Sequence, residues 1–248
     1  MRPLYLQACP GMRVEFDDPA LKVCVPDKTR QLFPLRRLSR IIVCGFVEWR
    51  TDALLACARR GISIVFLERN GDFIGRWQGQ PCRQKPCLQD LAELLERNHG
   101  SGCYQNWLRG MRRLAARSAA RRLHFSDWQT ADMAALGQWA DDNLRPGWLK
   151  VQKILAGVIL SAVLQYLSEL GYCESDYTAE SSDCDLARDL CDLLLVDFLP
   201  VLAGWQRRYP VVPEPGVLFN LFEQRSQRLD SLLNSVLRKL YGCLSRCC

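Results

Sequence analysis

The sequence predicts an α+β protein, with a small β-rich N-terminal domain followed by a larger all-α domain. Three observations lead there. Residues 1–77 alternate short apolar runs with turn signals. Residues 78–87 contain Gly79, Pro81 and Pro86 among polar side chains, a linker composition. From residue 88 to 248 the apolar positions recur with helical period. An apolar content of 48% and a charged content of 24% are ordinary for a globular chain and exclude a disordered or low-complexity one.

In the N-terminal part, Leu4 to Ala8, Met12 to Phe16 and Leu21 to Val25 read as strands. Pro10-Gly11 and Asp17-Asp18-Pro19 part them. Ser39 to Cys44 is a β-branched run closed by Gly45. Thr51 to Arg60 reads as a helix capped by Thr51 and ended by Gly61. Ile62 to Leu67 is a strongly apolar strand, and Asn70-Gly71 turns the chain into Phe73 to Trp77.

The helices expected beyond the linker are Leu88 to Arg97, Tyr104 to Leu123, Thr130 to Trp139, Leu149 to Leu170, Leu186 to Val201 and Phe219 to Leu240. Pro210 to Pro215 reads as a stiff connection. The most apolar stretch, Ile154 to Leu167, is short for a bilayer span and reads as a buried helix. Pro3, Tyr5 and Gln7 interrupt any apolar leader, so no secretory signal, no membrane association and a cytoplasmic protein are expected. The thirteen cysteines are then expected to be reduced, mostly acting as small apolar side chains. Cys82, Cys87, His99 and Cys103 have zinc-ligand chemistry, but their spacing is looser than paired-cysteine sites, and chance grouping is the expectation.

Two charged constellations stand out. Asp185, Asp189 and Asp192 fall at i, i+4 and i+7 on one helix face. Such carboxylates repel unless a cation lies among them, so the stripe is either half of a divalent-metal site or a solvated face. The net charge is only +6, yet Arg109, Arg112, Arg113, Arg117, Arg121 and Arg122 crowd into one helix. Guanidinium forks suit phosphate, so this is either a phosphate-binding face or a solvated basic one. Trp107, Trp128, Trp139 and Trp148 could stack on bases but more often such residues anchor a core.

The ordered set Pro34-Leu35, Ile41 to Gly45, a helix, and Gly61-Ile62-Ser63-Ile64-Val65-Phe66 resembles the N-terminal domain of the CRISPR-associated integrase family that acquires new spacers. Leu108 to Arg117, "LARDLCDLLLVDFLP" at Leu186 to Pro200, and "PGVLFNLFEQRSQRL" are similar to segments of its helical half. The resemblance implies DNA strand transfer at a divalent metal, magnesium or manganese, held by Glu, His and Asp. It implies prespacer and repeat duplex DNA as ligands, homodimers, and a small ferredoxin-like partner. Carried over by position, the metal-binding Asp is Asp192 with Asp189 beside it, the Glu falls on Arg112, and the His falls near Ala179 or Glu180. Both ligands are therefore lost, and Tyr172 and Tyr177 lie in the loop where the His belongs. The expectation is a degenerate member that needs no cofactor, with Arg112 paired to Asp189 or Asp192 in the metal's place, as a structural subunit alone or beside an active relative. An active enzyme rebuilt on Glu180, Asp185, Asp189 and Asp192 is the alternative, and a helical DNA-binding scaffold outside CRISPR systems is another.

Overall fold

A computed structural model describes residues 2–79, 100–170 and 185–247. The chain divides into two compact units, Met1–Gln84 and Lys85–Cys248. The fold is α+β, strands first and helices after.

The first unit holds two four-stranded sheets. In one, β1 (Arg2–Gln7), β5 (Leu38–Cys44) and β7 (Ser63–Leu67) run parallel, and β8 (Phe73–Trp77) closes the edge antiparallel to β7. Ile41, Ile42 and Val43, like Ile64 and Val65, are buried on successive residues. That is why these strands read as unbroken apolar runs rather than alternating ones. The other sheet has the order β4 (Gln31–Pro34), β3 (Ala20–Cys24), β2 (Arg13–Asp17), β6 (Glu48–Trp49). Helix α1 (Thr51–Arg59) packs Ala53 and Cys57 into the same core as Leu6, Val14, Leu21 and Ile64.

One local expectation is corrected here, and strand β4 was not foreseen. Thr51 does not cap α1. The cap position is Arg50 and carries no side-chain bond, while the Asp52 carboxylate accepts from the Ala53 N–H. Strand β4 carries no apolar pattern, because Gln31 and Leu32 at the sheet edge are both exposed. The Gly61 stop and the Asn70-Gly71 turn hold, with φ of 66° and 98° at the two glycines, a region open to glycine at no steric cost.

The second unit is helical: α2 (Gly100–Arg122), α3 (Met133–Asn143), α4 (Pro146–Glu169), α5 (Leu186–Arg208), α6 (Pro215–Glu223) and α7 (Ser226–Cys247). Helix α2 stops in a Schellman motif. His124 takes φ 62°, its N–H donates to Arg121 O and the Phe125 N–H to Ala120 O. Asp132 caps α3 by accepting from the Ala135 N–H at 2.8 Å, so that helix begins later than Thr130. Pro146 starts α4, where its missing N–H costs nothing.

Helix α4 is 24 residues long and, by length and composition, apolar enough to cross a bilayer, longer than its apolar segment alone predicts. It packs along α5 with Trp148, Val151, Leu155 and Val163 buried, as a core helix does. Helix α5 runs through Pro200 to Arg208, past the expected end at Val201. Leu199, Leu202 and Trp205 are buried on either side of Pro200, and their burial offsets the backbone bond the ring removes. The single helix expected over Phe219 to Leu240 is two, broken where the Ser226 hydroxyl donates to Glu223 O and competes with the helical ladder.

Candidate functional site

Helix α5 supplies the acidic residues and α2 the groups that meet them. The three aspartates part company. Asp185 is the N-cap of α5, and its carboxylate accepts from the Arg188 N–H at 2.9 Å. It is not a third member of a convergent cluster. Asp189 is buried, 8% exposed, which excludes a solvated face for that residue. Asp192 lies one turn on, half-buried.

The carboxylate of Asp189 is claimed on both oxygens. Arg112 Nη2 donates to Oδ1 at 2.9 Å, and Tyr104 Oη donates to Oδ2 at 2.6 Å. Tyr104 is fully buried and packs on Trp107 with ring centroids 5.4 Å apart. Burial raises the Asp189 pKa, and the Tyr104 bond and the Arg112 charge pull it back only in part. Burial also raises that of Asp192, opposed by Arg112 and reinforced by Asp189. The Arg112 guanidinium is thus the cation that both carboxylates sense, with Arg188 acting on Asp192 as well.

A divalent ion does not fit these residues. Among the described residues no three His, Cys, Asp or Glu side chains converge as a metal needs. A guanidinium already bonded to Asp189 would stand against a dication, and two unit charges about 4 Å apart repel by roughly 4 kcal/mol at an effective dielectric near 20. Ala179, Glu180, Tyr172 and Tyr177 lie outside the described residues, as do Cys82, Cys87 and His99.

The six arginines divide. Arg109, Arg113, Arg117 and Arg121 are exposed and repeat every fourth residue, so they form one ridge along α2. Arg112 and Arg122 turn inward. Arg122 meets Asp197, through Nη1 to Oδ1 at 2.6 Å and through Nη2 to the backbone oxygen. Arg228 of α7 also grips Asp197, with Nε to Oδ2 at 2.9 Å and Nη2 to Oδ1 at 2.8 Å. Burial alone would push the Asp197 carboxyl up, but the Arg228 and Arg122 bonds together hold it below its ordinary value.

Sequence reasoning missed Tyr104 and Asp197. Neither has a local signal; only the spacing of eight residues between Tyr104 and Arg112 puts them on neighbouring faces of α2. Of the tryptophans, Trp107 and Trp148 are core residues. Trp128 is half-buried under the Arg121 guanidinium, 5.6 Å from the ring centroid, and Trp139 packs on Phe125. Cys103 is disulfide-bonded, against the expectation of a reduced thiol, and a bonded sulfur is not a zinc-binding thiolate. Cys9, Cys24, Cys44, Cys57, Cys191 and Cys243 are free.

A family model described as CRISPR associated protein Cas1 matches residues 4–121. That stretch, just under half of the chain, is similar to the Cas1 family. Its fold is similar to that of a Cas1 protein from Thermotoga maritima, with a TM-score of 0.74 at 13% identity, covering 98% of this chain and 97% of that one. TtCas1 matches with a TM-score of 0.66 at 13% identity over 96% and 98% of the two chains. A casposase bound to integration product matches with a TM-score of 0.58 at 10% identity over 98% and 88%. Comparison with curated protein sequences finds no match. Within the Cas1 fold, the Arg112–Asp189–Tyr104 cluster and the α2 arginine ridge are this chain's own candidates for function.

Proposed function

We propose that this chain is a Cas1-like DNA-binding subunit of spacer acquisition that no longer carries out strand transfer. The observation that carries this reading is the Arg112–Asp189 ion pair, 2.9 Å long. The cation that a metal would supply to the Asp189–Asp192 pair is already built into the chain. One of the carboxylates that would hold a metal, Asp189, is engaged in fastening α2 to α5 instead. The resemblance puts the family Glu at Arg112, so the departure reverses the sign of a ligand position and does more than delete it.

The exposed ridge of Arg109, Arg113, Arg117 and Arg121 supports DNA phosphate contact. A casposase of similar fold is bound to an integration product, and a Cas1 structure of similar fold is a DNA complex. A chain of a Cas6-RT-Cas1–Cas2 complex is similar over 96% of this chain and 35% of its own length. These likenesses support a place in an assembly on prespacer or repeat DNA, as a homodimer or beside an active relative, with a small ferredoxin-like partner.

Strand transfer and nicking of a labelled duplex in manganese, with an Asp192→Ala control, test the reading. The expectation is duplex binding with no product. Metal-dependent product formation that vanishes in Asp192→Ala would overturn it in favour of an active enzyme with a rebuilt acidic site.

A further inference from the structure

Helices α2, α5 and α7 enclose a cavity of about 180 Å³ that no part of the reading above uses. Met111, Leu114 and Ala115 form its α2 wall, and Leu232 and Val236 its α7 wall. The buried Leu193 and Leu194 of α5 contribute to it, and the Asp197–Arg228 pair lies at its edge. Leu114 is 54% exposed, a large aliphatic side chain left in water beside an apolar hollow.

Size and lining narrow the occupant. Small-molecule and cofactor sites run to about 300–1,000 Å³, so this hollow suits a single side chain. No aromatic ring lines it among the described residues, and unpaired bases are ordinarily held by stacking on such rings. The hollow therefore suits an aliphatic anchor of the kind that centres a protein interface.

Charge selects the flanks of that anchor. Arg228 bonds Asp197 through Nε and Nη2, leaving Nη1 outside both bonds, and its side chain is 49% exposed. Lys239 is exposed three residues beyond Val236 on the same face of α7. The acid lining the hollow is Asp197, which Arg122 and Arg228 together over-neutralise. A partner surface meeting this rim gains by being acidic.

We infer that the α2–α5–α7 cavity is a docking site for a partner protein that inserts one large aliphatic side chain from an acidic, amphipathic segment. The site adjoins the arginine ridge, with Arg117 three residues beyond Leu114 on α2, but the inference does not rest on whether that ridge holds DNA.

Fluorescence anisotropy on the full chain tests it, with a labelled, glutamate-rich helical peptide carrying one central leucine as probe. Saturable binding is expected. It should weaken at least about tenfold when the peptide leucine becomes alanine, and by a similar factor in Ala115→Phe, which fills the hollow. Lys239→Glu, a surface change that spares the core, should weaken binding severalfold and flatten its salt dependence. The inference fails if no saturable binding occurs below about 1 mM. It also fails if the alanine peptide or a lysine-rich version binds equally well, or if Ala115→Phe and Lys239→Glu, both folded, bind as the parent does. Should Ala115→Phe weaken capture of an unpaired oligonucleotide instead, the hollow is a nucleic-acid subsite and the inference is overturned. None of these outcomes bears on duplex binding by the ridge.

Discussion

Arg112 Nη2 and Asp189 Oδ1 stand 2.9 Å apart, joining two helices through a carboxylate that Tyr104 grips from its other oxygen. The pair is neither a surface bridge nor fully interior: the Asp189 side chain is 11% exposed and that of Arg112 is 40%. Its energy belongs between those limits. Arg112→Ala should cost about 1–2 kcal/mol in urea unfolding, less than the loss of a fully buried partner. A double-mutant cycle with Asp189→Asn should return a coupling of about 1 kcal/mol. Additive single mutants would mean the contact does not hold the helices.

Arg112→Glu should convert the cluster into a cation site, because three carboxylates would then face one another. The substituted chain should be less stable than the parent in chelator and should regain stability as manganese is added. The parent's melting temperature should not move over the same titration. A parent that shifts with manganese as strongly as Arg112→Glu would show that the guanidinium excludes nothing.

Four exposed arginines and two engaged ones should differ in their salt signature. Alanine at Arg109, Arg113, Arg117 or Arg121 should each lower the slope of log affinity against log salt by about 0.9 on duplex DNA. Arg122→Ala should leave that slope unchanged and lower stability, since its guanidinium is spent on Asp197. Equal slopes for all six would place the contact elsewhere.

Acid should reach Asp197 only after Asp189 and Asp192. Its folded carboxyl titrates below the ordinary value because Arg228 and Arg122 outweigh its burial. The stability it contributes is complete above the unfolded value, about 3.9, and is lost as pH falls through the lower folded one. Asp197→Asn should therefore destabilise the chain at pH 7, and the deficit should shrink toward pH 3 in parallel denaturant curves. Asp192 carries the opposite sign. Burial raises its pKa, so its charge is a cost in the folded state above that raised value and is relieved as pH falls through it. Asp192→Asn should stabilise at pH 7, and the gain should vanish near pH 4.

The strands of the parallel sheet were legible because Ile41, Ile42, Val43, Ile64 and Val65 are buried on both faces and leave an unbroken apolar run. Edge strand β4 was not, since Gln31 and Leu32 face water and only Phe33 packs on the core. Helix α2 announced itself by its arginines, yet Arg112 and Arg113 are neighbours in sequence with opposite fates. Which one turns inward depends on how Tyr104, Ala116, Ala119 and Ala120 seat the helix, a tertiary fact. The same holds for Asp197, ordinary among the aspartates of α5 until α7 brings Arg228 against it. Pro200 looked like an end because proline usually is one. The buried residues around it decide otherwise.

Helix α2 meets α5 through Arg112 at Asp189 and again through Arg122 at Asp197. These rungs lie ten residues apart on one helix and eight on the other, roughly 15 Å and 12 Å along their axes. Both index numbers rise together, so the helices run alongside in the same direction. A single rung would permit pivoting, but two forbid both pivoting and sliding by a turn. A metal between α2 and α5 would secure them only while loaded, at the mercy of chelators and of the local ion supply. Arginine carries its charge on the chain itself, so the alignment of these helices is set once, at folding, and owes nothing to the surroundings.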